Sequence, residues 1–196
     1  VRWLVNAMYY RNKKYPDGTY PYLGPAPGTR NPGAEDRSNW DNSNSNMALL
    51  GVWAGARCGV EVPMQYWRLA EGHWTRDQQS HGGWFYRTRR KDGKITVEEN
   101  RGSGSMTAAG VASLFICMDN LHRASFTGCR SVTDSPASKF SSSHLRPFAI
   151  AGVNVCLTKK SNPRFDGYYL YTIERAGLAS GRRYFGDKNW YRQGAK

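Results

Sequence analysis

Met106-Thr107-Ala108-Ala109-Gly110-Val111-Ala112-Ser113-Leu114-Phe115-Ile116-Cys117-Met118 is apolar nearly all the way round when wound as a helix. Such a helix has no face to give to water and must be buried on most sides. A second stretch of the same character runs from Asn46 to Ala56. Within it, Met47-Ala48-Leu49-Leu50-Gly51 matches Met106-Thr107-Ala108-Ala109-Gly110 after about 60 residues. Arg57-Cys58-Gly59-Val60 matches Arg175-Ala176-Gly177-Leu178 at about twice that interval. These matches are in phase, which is the signature of an internal repeat. Buried helices are expected to start near Asn44, Ser105 and Gly167. The repeat units are roughly 1–43, 44–104, 105–166 and 167–196, in one domain without an internal boundary.

More amphipathic helices are expected between the buried ones. Pro63 to Gln78 opens on a proline, a common helix start, and sets Trp67, Ala70 and Trp74 against Arg68, Glu71 and Asp77. His144 to Lys159 carries Phe148, Ile150, Val153 and Val155, with cations at its end, where the helix dipole favours them. A buried helix alternating with a half-exposed one predicts an all-α chain of inner and outer helix pairs. The linkers are rich in breakers: Tyr15 to Gly33 holds five prolines, which rules out regular structure there. The run from Glu35 to Ser43 supplies N-cap residues. Trp84 to Asn100 reads as a short hairpin about Asp92-Gly93. Thr127 to Ser143 reads as a polar, serine-rich loop.

Gln78-Gln79-Ser80-His81-Gly82-Gly83-Trp84 follows the outer helix that carries Trp74. It resembles the QW-type signature of the prenyltransferase and squalene-oxidase/cyclase repeat family, in which a Gln at a helix end and a Trp after a Gly turn tie helix pairs together. Tyr15-Pro16-Asp17-Gly18-Thr19-Tyr20 looks like a degenerate version of that turn. The stretches from Asp36 to Gly51 and from Tyr168 to Tyr191 look like bacterial members of the family, many of unknown function. The resemblance implies an α/α toroid. The physical reading of the turn agrees: Gly82 and Gly83 permit positive φ after a helix, and Trp84 offers one large apolar face to the gap beyond. A structural role is the favoured reading for Gln78, Gln79, Gly82, Gly83 and Trp84. The family's ring closes with about six helix pairs, and this chain supplies about three. The resemblance therefore implies a fragment, or a partial ring completed by a second chain. The chain also lacks an initiator Met and opens on the helix-like run Val1 to Met8, which reads as a longer or processed natural protein.

The family's chemistry is not visible in these residues. No Asp-x-Asp-Asp acid is present; the nearest acidic positions, Asp36, Asp41 and Asp119, have no paired carboxylate at that spacing. Cys117-Met118-Asp119 reverses the order of the transferases' zinc ligands. His73, His81, His122 and His144 are read as lacking an i, i+4 partner, and no metal is expected. Gly128-Cys129-Arg130-Ser131 is not a thioester motif, and no nucleophile elbow appears. Cys58, Cys117, Cys129 and Cys156 form no CxxC pair, which argues against zinc. One disulfide through Cys129 stays open, and with it the redox compartment.

Two candidate polar clusters stand at helix starts. Asp41, Asn44 and Asn46 crowd the first buried helix; Tyr168, Tyr169 and Tyr171, with Glu174 one turn on, crowd the third. Polar caps beside aromatics suit a ligand with an apolar body and a polar head. The simpler reading is capping and core packing, with Met47 and Met106 in the core and Glu174 paired to Arg175. No cofactor is implied.

The net charge is +13. An anionic partner such as nucleic acid would exploit it. The basic residues are scattered, however, with only Arg87 to Lys91 dense and no aromatics interleaved. A solvated basic surface is the better reading. Hydrophobic residues make up 39%, ordinary for a soluble protein, and no run approaches the roughly 18 apolar residues of a membrane span. Two functions remain in view. One is a toroid module that binds an apolar small molecule or a partner chain. The other is a fragment of an isoprenoid cyclase or transferase whose acid or zinc ligands lie elsewhere.

Overall fold

A computed structural model of the chain describes residues 1–10, 18–20, 40–79, 82–86, 89–91, 94–96, 104–122, 166–181, 183–185 and 188–194. The linker from 21 to 39, the loop from Thr127 to Ser143, the helix expected from His144 to Lys159, and Cys129 and Cys156 lie outside the described residues. So do Tyr15, Pro16 and Asp17 of the first turn. Six helices are described: α1 (Arg2–Tyr10), α2 (Asn42–Arg57), α3 (Met64–Arg76), α4 (Gly104–His122), α5 (Asp166–Ser180) and α6 (Trp190–Gly194). The only described strands are two short antiparallel pairs, so the described chain is predominantly helical. β1 (Arg89–Lys91) pairs antiparallel with β2 (Lys94–Thr96), Lys91 opposite Lys94, on either side of Asp92-Gly93, as a hairpin there requires. β3 (Tyr184–Phe185) pairs with β4 (Lys188–Asn189), a strand pair that the sequence reading did not single out.

α4 is the centre of the described structure, packed against α2, α3 and α5. From Gly104 to Leu114 each residue is buried, as an all-apolar helix requires. The helix starts fall at Asn42, Gly104 and Asp166, within three residues of the expected positions. Asp41 caps α2 from an extended backbone (φ −149, ψ 168), its carboxylate accepting the Asn44 amide. Pro63 sits at the N-cap of α3, where its missing N–H costs nothing.

The direction of each helix follows from its contacts. A side chain placed at Gly55 would strike Val1, and one at Gly51 would meet Leu4. α1 therefore runs antiparallel to α2. Trp84, just beyond the end of α3, lies on Gly110 near the start of α4, so α3 runs antiparallel to α4. Asn46 in the first turns of α2 bonds to Ala109 and Ser113 of α4 and to Tyr168 in the first turn of α5. The helices α2, α4 and α5 are therefore parallel.

One core holds Met8, Tyr20, Leu49, Val52, Tyr66 and Trp67 between α1, α2 and α3. The other holds Trp74, Trp84, Met106, Val111 and Phe185 around α4. Two sequence expectations need correction. Met106 is in the core, but Met47 is 47% exposed; it stands at the open side of α2, and its apolar neighbours in sequence cannot report that. Likewise α5 is not buried on most sides, because Leu170, Tyr171 and Leu178 face outward.

Trp84 is fully buried. Its indole N–H donates to the Trp74 carbonyl at 2.8 Å. A Cβ at residue 110 would come within 2.5 Å of its ring, so glycine alone admits it. Trp84→Ala is expected to cost about 3–5 kcal/mol, read as a shifted urea midpoint. Trp84→Phe keeps an aromatic ring but loses the second ring of the indole and the N–H, and is expected to cost less, about 1–3 kcal/mol. Equal losses for the two variants would show that a packed aromatic ring at this position adds nothing.

Candidate functional site

The sequence candidates separate into two groups. Asp41, Asn44, Asn46 and Tyr168 meet at the amino-terminal ends of the parallel helices. The Asp41 carboxylate accepts from Ser43 Oγ at 2.6 Å, from the Asn44 amide at 2.8 Å and from Asn44 Nδ2 at 3.3 Å. Asn46 is fully buried. Its Nδ2 donates to the Ala109 carbonyl at 3.3 Å and to Ser113 Oγ at 3.0 Å, while its Oδ1 accepts the Tyr168 hydroxyl at 3.3 Å. One amide thus joins three helices, with both its donors and its carbonyl engaged. Burial, and then the nearby Asp41 carboxylate, push the Tyr168 phenol well above the usual tyrosine range. This end of the structure is occupied by its own hydrogen bonds.

Tyr169 packs its ring against Gly104, and its carbonyl accepts from Thr172 Oγ1 at 2.9 Å. Tyr171 and Glu174 face outward. Glu174 pairs with Arg175 at 2.7 Å, and the Arg175 guanidinium lies 5.1 Å from the Tyr171 ring centroid. Both line a groove of about 520 Å³ with Leu170, Ile173, Trp190 and Tyr191.

The turn residues are held locally. Gln78 Nε2 donates to the Gly82 carbonyl at 2.9 Å, and Gln79 Nε2 to the Asp77 carbonyl at 2.8 Å. The Gln79 amide donates to the Gly83 carbonyl at 2.9 Å. Gly82 takes φ 85, a region that favours glycine. The same arrangement occurs twice. After α1, Gly18 takes φ 78 and the buried Tyr20 amide donates to Ser45 Oγ of α2 at 3.1 Å. After α3, the buried Trp84 amide donates to Thr107 Oγ1 of α4 at 3.4 Å.

Among the described residues no three of His, Cys, Asp and Glu gather as metal ligands would. The reading of the histidines needs one correction: Asp77 is the i+4 partner of His73, with 3.6 Å between Nδ1 and Oδ2. Asn42 Nδ2 donates to the Phe85 carbonyl at 2.7 Å, which turns Asn42 Oδ1 toward His73 Nε2 at 2.8 Å. His73 therefore donates from Nε2. Trp40 and Trp74 flank the buried ring edge-on, and the group is packed inside the structure rather than offered to a ligand. Of the two described thiols, Cys58 is exposed and Cys117 buried. Burial, and then the Glu71 charge, push the Cys117 thiol up, so it is a poor nucleophile.

The sequence reading missed the opposite ends of the same helices. The carboxyl ends of α2, α4 and α5 surround an open cavity of about 430 Å³, bordered by Trp53, Arg57, Asp119, Asn120, Leu178 and Ser180. The Arg57 guanidinium stands 5.3 Å from the Trp53 ring centroid, at a helix end where positive charge is favoured. Asn120 Nδ2 donates back to the Ile116 carbonyl within α4, and Ser180 Oγ donates to the Gly177 carbonyl in the last turn of α5, a group that the helix end leaves without an internal partner. Gly181 ends α5 at φ 66. The signal was available in the first polar residues after each apolar run, which are the rim of this cavity.

Asn46→Ala is expected to strand Ser113 and Tyr168 and to lower unfolding free energy by about 2–4 kcal/mol in urea. The raised Tyr168 pKa gives a second test. An ordinary tyrosine ionises near pH 10, and the folded phenol ionises above that. Its stabilising contribution is complete below the unfolded pKa and is lost as pH rises through the folded one. Tyr168→Phe should therefore soften the loss of stability above about pH 10. An equally steep alkaline decline in the variant would refute this assignment.

The chain matches no protein-family model, no curated protein and no solved structure.

Proposed function

We propose that the chain is an α/α-toroid module with a binding role, related to the terpenoid-cyclase and prenyltransferase repeats. In this reading α2, α4 and α5 belong to the inner layer, and α1 and α3 to the outer. Two observations support the arrangement. The inner helices are parallel, and each of α1 and α3 runs antiparallel to the helix that follows it. The turns after α1 and α3 also share a positive-φ glycine and a buried aromatic bonded to a hydroxyl of the next helix.

The ligand is a small molecule with an apolar body and a polar head, and its site is the cavity at the carboxyl ends of α2, α4 and α5. The observation that carries this reading is the convergence of three helix ends on a space of about 430 Å³, within the range of roughly 300–1,000 Å³ usual for small-molecule sites. The lining is mostly polar: Trp53 and Leu178 offer a small apolar surface for the body, and Arg57, Asp119, Asn120 and Ser180 offer polar groups to the head.

The test is a fluorescence titration of the chain with farnesol, an isoprenoid alcohol of the required character, following the tryptophan signal. Saturable binding is expected, weakened roughly tenfold or more by Asn120→Trp, which would fill the cavity from the last turns of α4. Absence of saturable binding, or unchanged affinity in the variant, would remove the cavity as the site. Turnover of farnesyl diphosphate by the chain would replace the binding role with an enzymatic one.

A further inference from the structure

The polar groups around the cavity at the carboxyl ends of α2, α4 and α5 are mainly acceptors. Three helix ends border it, and each carries roughly half a negative charge in its last carbonyls. Arg57 stands in the last turn of α2 and offsets that end, with its guanidinium 5.3 Å from the Trp53 ring centroid. α5 has no basic residue in its last turn. α4 carries the opposite of a compensating cation: Asp119, in its last turn, is an exposed carboxylate where the helix dipole disfavours one. Among the described residues no cation pairs with it.

The neutral side chains have the same character. The Ser180 hydroxyl has one proton and gives it to the Gly177 carbonyl, so toward any further group it can only accept. Asn120 spends an amide proton on the Ile116 carbonyl, which fixes the orientation of the amide and leaves Oδ1 to accept. Trp53 adds an aromatic face, a surface that attracts cations, and the position of Arg57 shows one held there. We propose that the head of the ligand is a cation, a primary ammonium on an apolar tail. An ammonium has three donors and no acceptor, which complements Asp119, Asn120 Oδ1 and Ser180 Oγ. A phosphate or carboxylate head would meet the Asp119 carboxylate and the helix ends with like charge. The inference rests on the binding role proposed for this cavity and adds the charge of the head.

The test follows tryptophan fluorescence while the full chain is titrated with three probes that share one tail: farnesylamine, farnesol and farnesyl phosphate. Farnesylamine should bind roughly tenfold or more tightly than farnesol, and farnesyl phosphate more weakly than farnesol. The advantage of the amine should shrink as salt is raised. The net charge of +13 favours the phosphate in any unspecific association, so a preference for the amine reports the cavity. Asp119→Asn alters an exposed side chain, so circular dichroism should be unchanged. It should lower farnesylamine affinity roughly tenfold and leave farnesol affinity as it was. Saturable farnesol binding with no gain for the amine, or an amine affinity unchanged by Asp119→Asn, would overturn the inference and leave the binding role standing. Tightest binding of the phosphate, lost in Arg57→Gln, would overturn it in favour of an anionic head. Failure of all three probes to saturate would remove the binding role of the cavity and the inference with it.

Discussion

The contact between the Trp84 indole and Gly110 sets the position of α3 on α4. A ring can lie on a helix backbone only where there is no Cβ, and residue 110 is glycine. The indole N–H then meets the Trp74 carbonyl in the last turn of α3, satisfying a group that the helix end leaves without an internal partner. One side chain thus fixes the spacing of two helices and caps one of them. A related contact recurs at the other end of the described chain, where Trp190 lies on Gly177 of α5.

With the helices placed, their two ends acquire different characters. At the amino ends the free backbone donors and the small polar side chains find one another. Asp41 closes α2, and Asn46 joins α2 to α4 and α5 with three hydrogen bonds. Buried amides and hydroxyls need such partners, and these groups find them in one another. At the carboxyl ends the bounding residues are larger and more varied, and Arg57 folds back over Trp53 instead of crossing to a neighbouring helix. Open volume remains between the helices there.

The basic charge of the chain acts mainly at its surface. Arginines lie over tyrosine and tryptophan rings at Trp53, Tyr171 and Tyr184, which lets apolar faces stand in water beside a charged group. The outer side of α5 sets one of them, Arg175, beside an apolar stripe. A helix in that position gives to solvent the kind of surface that α4 gives to its neighbours.

The sequence by itself determined that the chain is helical, where the helices α2, α4 and α5 begin, and where the hairpin at Asp92-Gly93 turns. These are local properties, set by periodicity, capping and turn chemistry within a few residues. It also showed that the run from Met106 to Met118 must be buried on most sides, because an all-apolar helix has no face to give to water. Only the tertiary structure decided which of the candidate residues are spent on packing. Asn46 and Tyr168 are far apart in the chain, and nothing near either one reveals that they bond. Met47 and Met106 occupy matching positions in the repeated pattern, yet one is exposed and the other buried, because α2 has an open side at Met47 and the first turns of α4 have none. The cavity at the helix carboxyl ends and the groove beside α5 are likewise properties of neighbours brought together by the fold, and a sequence read one segment at a time carries no record of which neighbours those will be.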